Sequence, residues 1–317
     1  MIYLGIDIAK RKFDVALLVN GKFKTKVFVN EARGFRSLLA WLDKYAAEPV
    51  HACLEATGSY GEAVATVLSD AGHSVSIINP ARAKAFASSL GVRQKTDAVD
   101  AKVLAQLVSS QPLQLWHAPA PELRALQALV RRLDALIQMQ VQEQNRLELA
   151  QPGVRESIEQ HLAYLGQQIE DIKAQIARHI DQHPGLKQQQ QLLESIPGIG
   201  TNTSAWLIAE LNLTRFASAR QAAAFVGVTP RMRDSGSSVR GKPRICKQGS
   251  ARLRKQLYFP ALTAIRCNPL VRAMQQRLAA KGKHKMAIIA AAMRKLIHIA
   301  FGVIKSGKPF DPTLANA

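Results

Sequence analysis

The chain has 317 residues, 47% of them apolar, with a formal net charge of +20 and a pI of about 10.2. That length allows two or three domains, and that apolar content allows each a core, so a polyanion is the default partner of a folded protein. The charge is uneven: residues 1–115 hold 14 Lys/Arg against 10 Asp/Glu, residues 116–185 hold 7 against 9, and residues 186–317 hold 22 against 4. A basic tail would give the same sum, but the last segment is rich in apolar residues and is expected to fold.

Residues 2–7, 13–19 and 23–29 read as three strands, with Asn20-Gly21 as the second turn signal. The first strand reads as buried on both faces and ends on Asp7. A carboxylate is costly to bury alone, so Asp7 calls for a cation, either Lys/Arg or a metal ion. Helical spacing follows over 31–47, a short strand from Val50 to Leu54 that leads into Glu55, a helix over 60–71, and a strand from Ser74 to Ile78. Asn79-Pro80 caps the next helix. Three strands and then alternating helix and strand predict a mixed α/β sheet covered by helices. Residues 88–95 read as a mobile basic loop, and a helix from about Thr96 to Val108 carries Asp97 and Asp100 in its first turn. Those two acids suit either the helix dipole or a ligand set. Lys84, Arg93 and Lys95 suit a nucleic-acid contact and a solvated basic face equally well.

Residues 121–150 and 154–183 read as two long helices split by Pro152-Gly153, a helical hairpin or coiled coil. The run Gln188 to Gln191 reads as solvated helix surface, and Pro184-Gly185 as a boundary. Ser195-Ile-Pro-Gly198-Ile-Gly200 between helices resembles a helix-hairpin-helix turn, whose amides grip phosphate; a helical connection inside a core is the competing reading. Residues 229–248 are not helical: Ser235, Ser237 and Ser238 stand among Arg231, Arg233, Arg240, Lys242 and Arg244. Helices follow at about 249–266, 269–280 and 284–305. In the last, Arg294, Lys295 and His298 argue for an amphipathic helix rather than a membrane span.

Cys53, Cys246 and Cys267 are far apart and form no C-x-x-C, which indicates neither a zinc site nor a disulfide framework and fits a reducing cytosol. No signal peptide is read at the start. Trp41, Trp116 and Trp206 read as core; His51, His73, His161 and His298 read as structural.

Two-metal phosphoryl chemistry needs several carboxylates around cations about 3.5–4 Å apart. Asp7 and Glu55 at strand ends, with Asp97 and Asp100 three apart on one helix face, can supply them. A serine hydroxyl needs a base or metal to become a nucleophile, and negative charge developing on phosphorus needs cations such as the arginines around Ser235. A plain phosphate-binding loop is the alternative for that segment.

The order Gly5-Ile-Asp7-Ile-Ala-Lys10, Glu55-Ala-Thr-Gly58, Lys95-Thr-Asp97-Ala-Val-Asp100-Ala resembles the RuvC-like DEDD domain of the transposases of insertion-sequence family one-ten, which includes Piv-type DNA invertases. The likeness continues through Ser195 to Gly200, Thr229-Pro-Arg231, Ser235-Gly-Ser-Ser-Val-Arg-Gly241 and Met293-Arg-Lys-Leu296. It implies an α/β RNase H-like (RuvC-like) domain at 1–115, a coiled-coil hairpin at 116–185, and a mainly α transposase domain at 186–317 with a helix-hairpin-helix-like motif at Gly198 and Gly200. It further implies a metal site of Asp7, Glu55, Asp97 and Asp100 holding Mg²⁺ or Mn²⁺, expected as two ions, and Ser235 as the nucleophile forming a 5′-phosphoserine link to DNA. Its implied partners are donor and target DNA, a structured noncoding guide RNA (bridge or seeker RNA) and further copies of the chain, a dimer or tetramer sharing a composite site. The expected location is the bacterial cytoplasm, at the nucleoid. A water-using junction-resolving nuclease of RuvC type needs the four acids but not Ser235. A scaffold with a decayed site needs neither, although all four acids are present.

Overall fold

The computed structural model describes residues 2–56, 60–92, 94, 96–235, 239–246 and 249–313, and for 232–235 and 239–243 the backbone alone. The chain forms two compact units, Met1–Pro119 and Ala120–Ala317.

In the first unit, β1 (Ile2–Ile8), β2 (Lys12–Val19) and β3 (Lys22–Val29) form an antiparallel meander. Asn20 and Gly21 both have positive φ, as the tight turn between β2 and β3 requires. The helix α1 (Ala32–Tyr45) leads to β4 (Val50–Glu55), then α2 (Glu62–Asp70), β5 (Ser74–Ile78), α3 (Pro80–Ser89) and α4 (Asp97–Ser110). The strand order is β3-β2-β1-β4-β5, with β1, β4 and β5 mutually parallel. Alternation along the strands separates two apolar layers. Leu4, Ile6, Val15, Leu17 and Leu54 meet Phe35, Leu38 and Leu42 of α1 and Val64 and Leu68 of α2. On the other face Cys53 and Ile78 meet Leu104, Leu107 and Val108 of α4. Burial pushes the Cys53 thiol up to about 12, so it is an inert core group.

The two edges of the sheet differ. On β3 the exposed Lys22, Lys24 and Lys26 alternate along the strand. Beside β5, the Trp116 amide donates to the Val75 carbonyl at 2.7 Å in an isolated antiparallel bridge.

The second unit opens with an antiparallel pair, α5 (Pro121–Glu148) and α6 (Pro152–Asp181), joined by three residues. It continues with α7 (Pro184–Glu194) and α8 (Thr201–Trp206), which runs on as one π turn over Leu207–Leu211. After α9 (Ala219–Val226) comes a hairpin, β6 (Pro230–Ser235) and β7 (Val239–Ile245), then α10 (Ala251–Cys267), α11 (Pro269–Ala280) and α12 (Lys285–Ser306). One core runs from Leu123 of α5 through Trp206, Leu211 and Leu257 to Val303 of α12. α12 is long and apolar enough to cross a membrane by length and composition. Its Ile288, Ala292, Met293, Leu296, Ile297, Ala300 and Val303 are buried within the unit, as in a core helix.

Ionic contacts tie these helices together. Glu210 accepts from Arg131 Nε at 2.7 Å and Arg252 Nη1 at 3.4 Å, while Asp134 accepts from Arg252 Nε at 3.2 Å and Gln256 Nε2 at 2.8 Å. The glutamine run expected on the surface is only partly there: Gln190 is buried against this core.

Candidate active site and nucleic-acid interface

Strand register brings Asp7, Asp14 and Glu55 to one end of the sheet. Asp7 lies directly opposite Asp14 across the β1–β2 pair. Ile6 pairs with Leu54 in the parallel β1–β4 ladder, so the next residues, Asp7 and Glu55, lie side by side at the carboxyl ends of their strands. Residues paired this way project to the same face.

That face is the one covered by α4. A Cβ on Gly5 would sit 1.9 Å from the Ala101 carbonyl oxygen and 2.4 Å from the Ala105 amide nitrogen, so only glycine lets the helix lie this close. From Gly5 to Asp7 is two strand residues, about 6.6 Å. From Ala101 back to Asp97 is about one helical turn, about 6 Å. The close packing at Gly5 therefore sets the first turn of α4 over Asp7. The Thr96 hydroxyl caps that turn by accepting from the Val99 amide at 3.3 Å. Both Asp97 and Asp100 lie in it.

The charges around Asp7 agree with the placement of Asp97 and Asp100. The Asp7 carboxyl is pushed up to about 6, first by burial and then by the negative charges of Asp97, Asp100 and Asp14. Asp97 moves the other way: a hydrogen bond from the Lys12 ammonium holds it below the usual carboxylate range. Lys12 Nζ lies 2.9 Å from Asp97 Oδ2 and 2.9 Å from Asp14 Oδ2. The turn between β1 and β2 is steadied by Asn30 Nδ2, which donates to the carbonyls of Ala9 and Tyr60 at 3.1 Å each.

Among the described residues, no three His, Cys, Asp or Glu side chains stand close enough to enclose a metal ion. The donor chemistry nevertheless fits a divalent cation. The oxygens are hard, and the charged neighbours acting on Asp7 are all acids.

Sequence reasoning passed over Asp14 and the role of Lys12. The signal was the two-residue periodicity of the hairpin: once Asp7 and the β1–β2 turn are fixed, Asp14 falls opposite Asp7. Lys84 is exposed on α3, while Arg93 and Lys95 lie outside the described residues.

In the second unit, Ser235 ends β6 and pairs with Val239 across the hairpin, with Asp234 opposite Arg240 and Arg233 opposite Gly241. Residues 236–238 lie outside the described residues, as do the side chains of Arg233, Ser235, Arg240 and Lys242. Arg231 and Arg244 are exposed and directly opposite each other. Like charges in that position repel unless an anion lies between or over them.

The Pro197-Gly198-Ile199-Gly200 turn is built into the core. Gly198 has φ +104°, and a Cβ there would come within 2.8 Å of Ala264 Cβ on α10. Asn268 Nδ2 donates to the Pro197 carbonyl at 3.3 Å, and Ser195 Oγ accepts from the Phe310 amide at 2.8 Å. Gly200 is exposed and precedes α8.

The first unit is a carboxylate-bearing mixed sheet and the second is mainly helical with a basic hairpin, and comparison with known families gives the class. Residues 4–150 match the DEDD transposase model of the IS110 group, and residues 190–276 match the model described as transposase IS116/IS110/IS902 family. The chain is 33% identical over 313 residues to the pilin gene-inverting protein of Moraxella bovis, covering 98% of this chain and 97% of that one. It is 26% identical over 290 residues to the transposase for insertion sequence element IS1328 of Yersinia enterocolitica, covering 77% and 80%. The chain belongs to the IS110 family of transposases.

Proposed function

We propose that the protein is a metal-dependent, RNA-guided DNA recombinase that moves or inverts DNA through a 5′-phosphoserine intermediate. The observation that carries this reading is the closeness of Asp97 and Asp100 to Asp7, with Glu55 at the neighbouring strand end, in a family of transposases. The β3-β2-β1-β4-β5 order, antiparallel then parallel, supports an RNase H-like (RuvC-like) assignment of the first unit.

In this reading Asp7, Glu55, Asp97 and Asp100 hold Mg²⁺ or Mn²⁺, two ions when full. When bound, the ions stabilise negative charge on the phosphate oxygens. The Ser235 hydroxyl loses its proton and attacks phosphorus. A bond forms from serine Oγ to phosphorus, the phosphorus–O3′ bond breaks, and the DNA 3′ oxygen leaves as a hydroxyl. Attack by another 3′ hydroxyl reverses the balance and frees the serine, so strands are joined without an external energy source. Arg231, Arg233, Arg240, Lys242 and Arg244 neutralise phosphates around the hairpin, and the exposed Arg231–Arg244 pair supports that role.

The excess of basic residues in 186–317 serves donor DNA, target DNA and guide RNA. At the Pro-Gly-Ile-Gly turn, the packing of Gly198 supports a structural role, and nucleic-acid contact is assigned to the Gly200 end. The α5–α6 hairpin, the 116–185 segment, is the coupling between copies in a dimer or tetramer; exposed Ile137, Val141, Leu149, Val154 and Tyr164 along it support this.

The test is labelled DNA on a denaturing gel, using protein purified with its RNA from cells carrying the native flanking DNA. Wild type should leave a protease-sensitive protein–DNA band at a 5′ end, and Ser235→Ala should leave none while keeping RNA. Free ends only, with Ser235→Ala cutting equally well, would establish the water-using nuclease instead.

A further inference from the structure

Lys12 occupies an unusual place among the acids. It stands between two carboxylates that differ in kind. Asp14 is two residues away on the same strand, with a side chain only 10% exposed, and it is fixed by the sheet directly opposite Asp7. Asp97 is 51% exposed, on the first turn of α4. The ammonium lies 2.9 Å from an oxygen of each. Its own side chain is 47% exposed, so it has room to move.

We propose that Lys12 is the resident counter-ion of the site, released from Asp97 and retained by Asp14 when a divalent cation binds. This rests on the reading of Asp7, Glu55, Asp97 and Asp100 as metal ligands. The reasoning is steric and electrostatic. Asp97 Oδ2 accepts from the ammonium and cannot give the same lone pair to a cation at about 2.1 Å. A divalent ion held between Asp7 and Asp97 also repels an ammonium one carboxylate away. Asp14 removes the cost of full release, because Lys12 keeps one buried anionic partner throughout. The pairing of Asp7 with Asp14 across β1 and β2 thus gives the two acids separate tasks. Asp7 faces the metal, and Asp14 receives the displaced lysine.

Lys12 is a positioning residue acting through Asp97, and its substitution should alter metal affinity in a direction that a structural lysine would not. A lysine that merely braces Asp97 would, on removal, weaken metal binding. A lysine that competes would, on removal, strengthen it. Asp14→Asn should do the opposite of Lys12→Met, because the ammonium then has only Asp97 to hold.

The experiment is calorimetric titration of Mn²⁺ into metal-free, full-length protein, with circular dichroism to confirm folding and Asp7→Asn as the site control. Lys12→Met and Lys12→Gln should each bind Mn²⁺ about tenfold more tightly, the effect of removing one adjacent charge. Lys12→Arg, which keeps the charge, should stay within about twofold of wild type. Asp14→Asn should weaken binding, and by less when combined with Lys12→Met than alone. Equal or weaker binding by both Lys12→Met and Lys12→Gln, with binding still lost in Asp7→Asn, overturns the counter-ion role and leaves the metal site standing. No Mn²⁺ binding by wild type, or equal binding by Asp7→Asn, overturns the metal site and the counter-ion role together.

Discussion

Gly5→Ala should damage stability and chemistry together, through one contact. The added methyl would sit 1.9 Å from the Ala101 carbonyl oxygen and 2.4 Å from the Ala105 amide nitrogen. Ordinary contact begins near 3.4 Å, and both neighbours are backbone, so no side chain can yield. The helix α4 has to retreat from β1 by about 1 Å or more. Overpacking of this kind costs about 1–3 kcal/mol, and backbone on both sides puts Gly5→Ala at the upper end. For a unit of this size that corresponds to a fall in Tm of roughly 10 °C. The same retreat lifts Asp97 and Asp100 away from Asp7, and a misplacement of about 1 Å can cost about a hundredfold in rate. Scanning calorimetry on the full chain, with DNA cleavage measured well below the lowered Tm, reads both effects. A Tm within about 2 °C of wild type, with cleavage unchanged, would show that Gly5 does not set the height of α4 over the sheet.

Asp7→Asn in metal-free protein should be more stable than wild type above pH 6 and no different below pH 4. The sign follows from a folded carboxyl raised from 3.8 to about 6: the penalty for ionising it is absent below the lower value and complete above the higher one. For this half-exposed group the gain should be about 1–2 kcal/mol, measured by urea denaturation against pH, and cleavage should be abolished. His298 is held below its ordinary value by burial and then by Arg294, Lys295 and Arg220, and its Nε2 is buried with no hydrogen-bond partner. Stability from that neutral ring is present above about pH 6.5 and lost as pH falls through the lowered folded value, and His298→Phe should flatten that part of the pH profile. Affinity for nucleic acid should fall linearly as log K against log salt. Replacing Arg231 and Arg244 together by Ala should reduce the slope by about two, as expected for two lost phosphate contacts, while an unchanged slope would place that pair off the nucleic acid.

Much of the first unit was legible in the residues because its signals are local. Asn20-Gly21 forces a tight turn, Asn79-Pro80 and Thr96 mark helix starts, and Asp7 and Glu55 end apolar runs. Asp14 was not legible as a member of the acid cluster, since its place depends on the register with which β2 returns along β1. The same is true of Lys12, which reads as one more basic turn residue until its two partners are seen. Gly198 shows a related difficulty. Its motif matched a phosphate-gripping turn, yet the immediate reason for glycine is a close approach to Ala264, far along the chain on α10. Gln190 looked solvated in a polar run, and only the packing of α7 shows it buried. For Asp14 periodicity is enough only once the β1–β2 turn is fixed, while for Gly198 and Gln190 tertiary neighbours decide and periodicity along the chain does not carry them.

The alternating lysines of β3 answer a hazard of a sheet with an unpaired outer strand. An open row of amides and carbonyls is a template for any other extended chain, including the same strand of another copy. Lys22, Lys24 and Lys26 bring three like charges to that margin, so two copies approaching edge to edge meet repulsion before a ladder can form. At the opposite margin, the Trp116 bridge takes up one of the open carbonyls of β5. Any association of copies of this chain is thereby steered away from sheet extension.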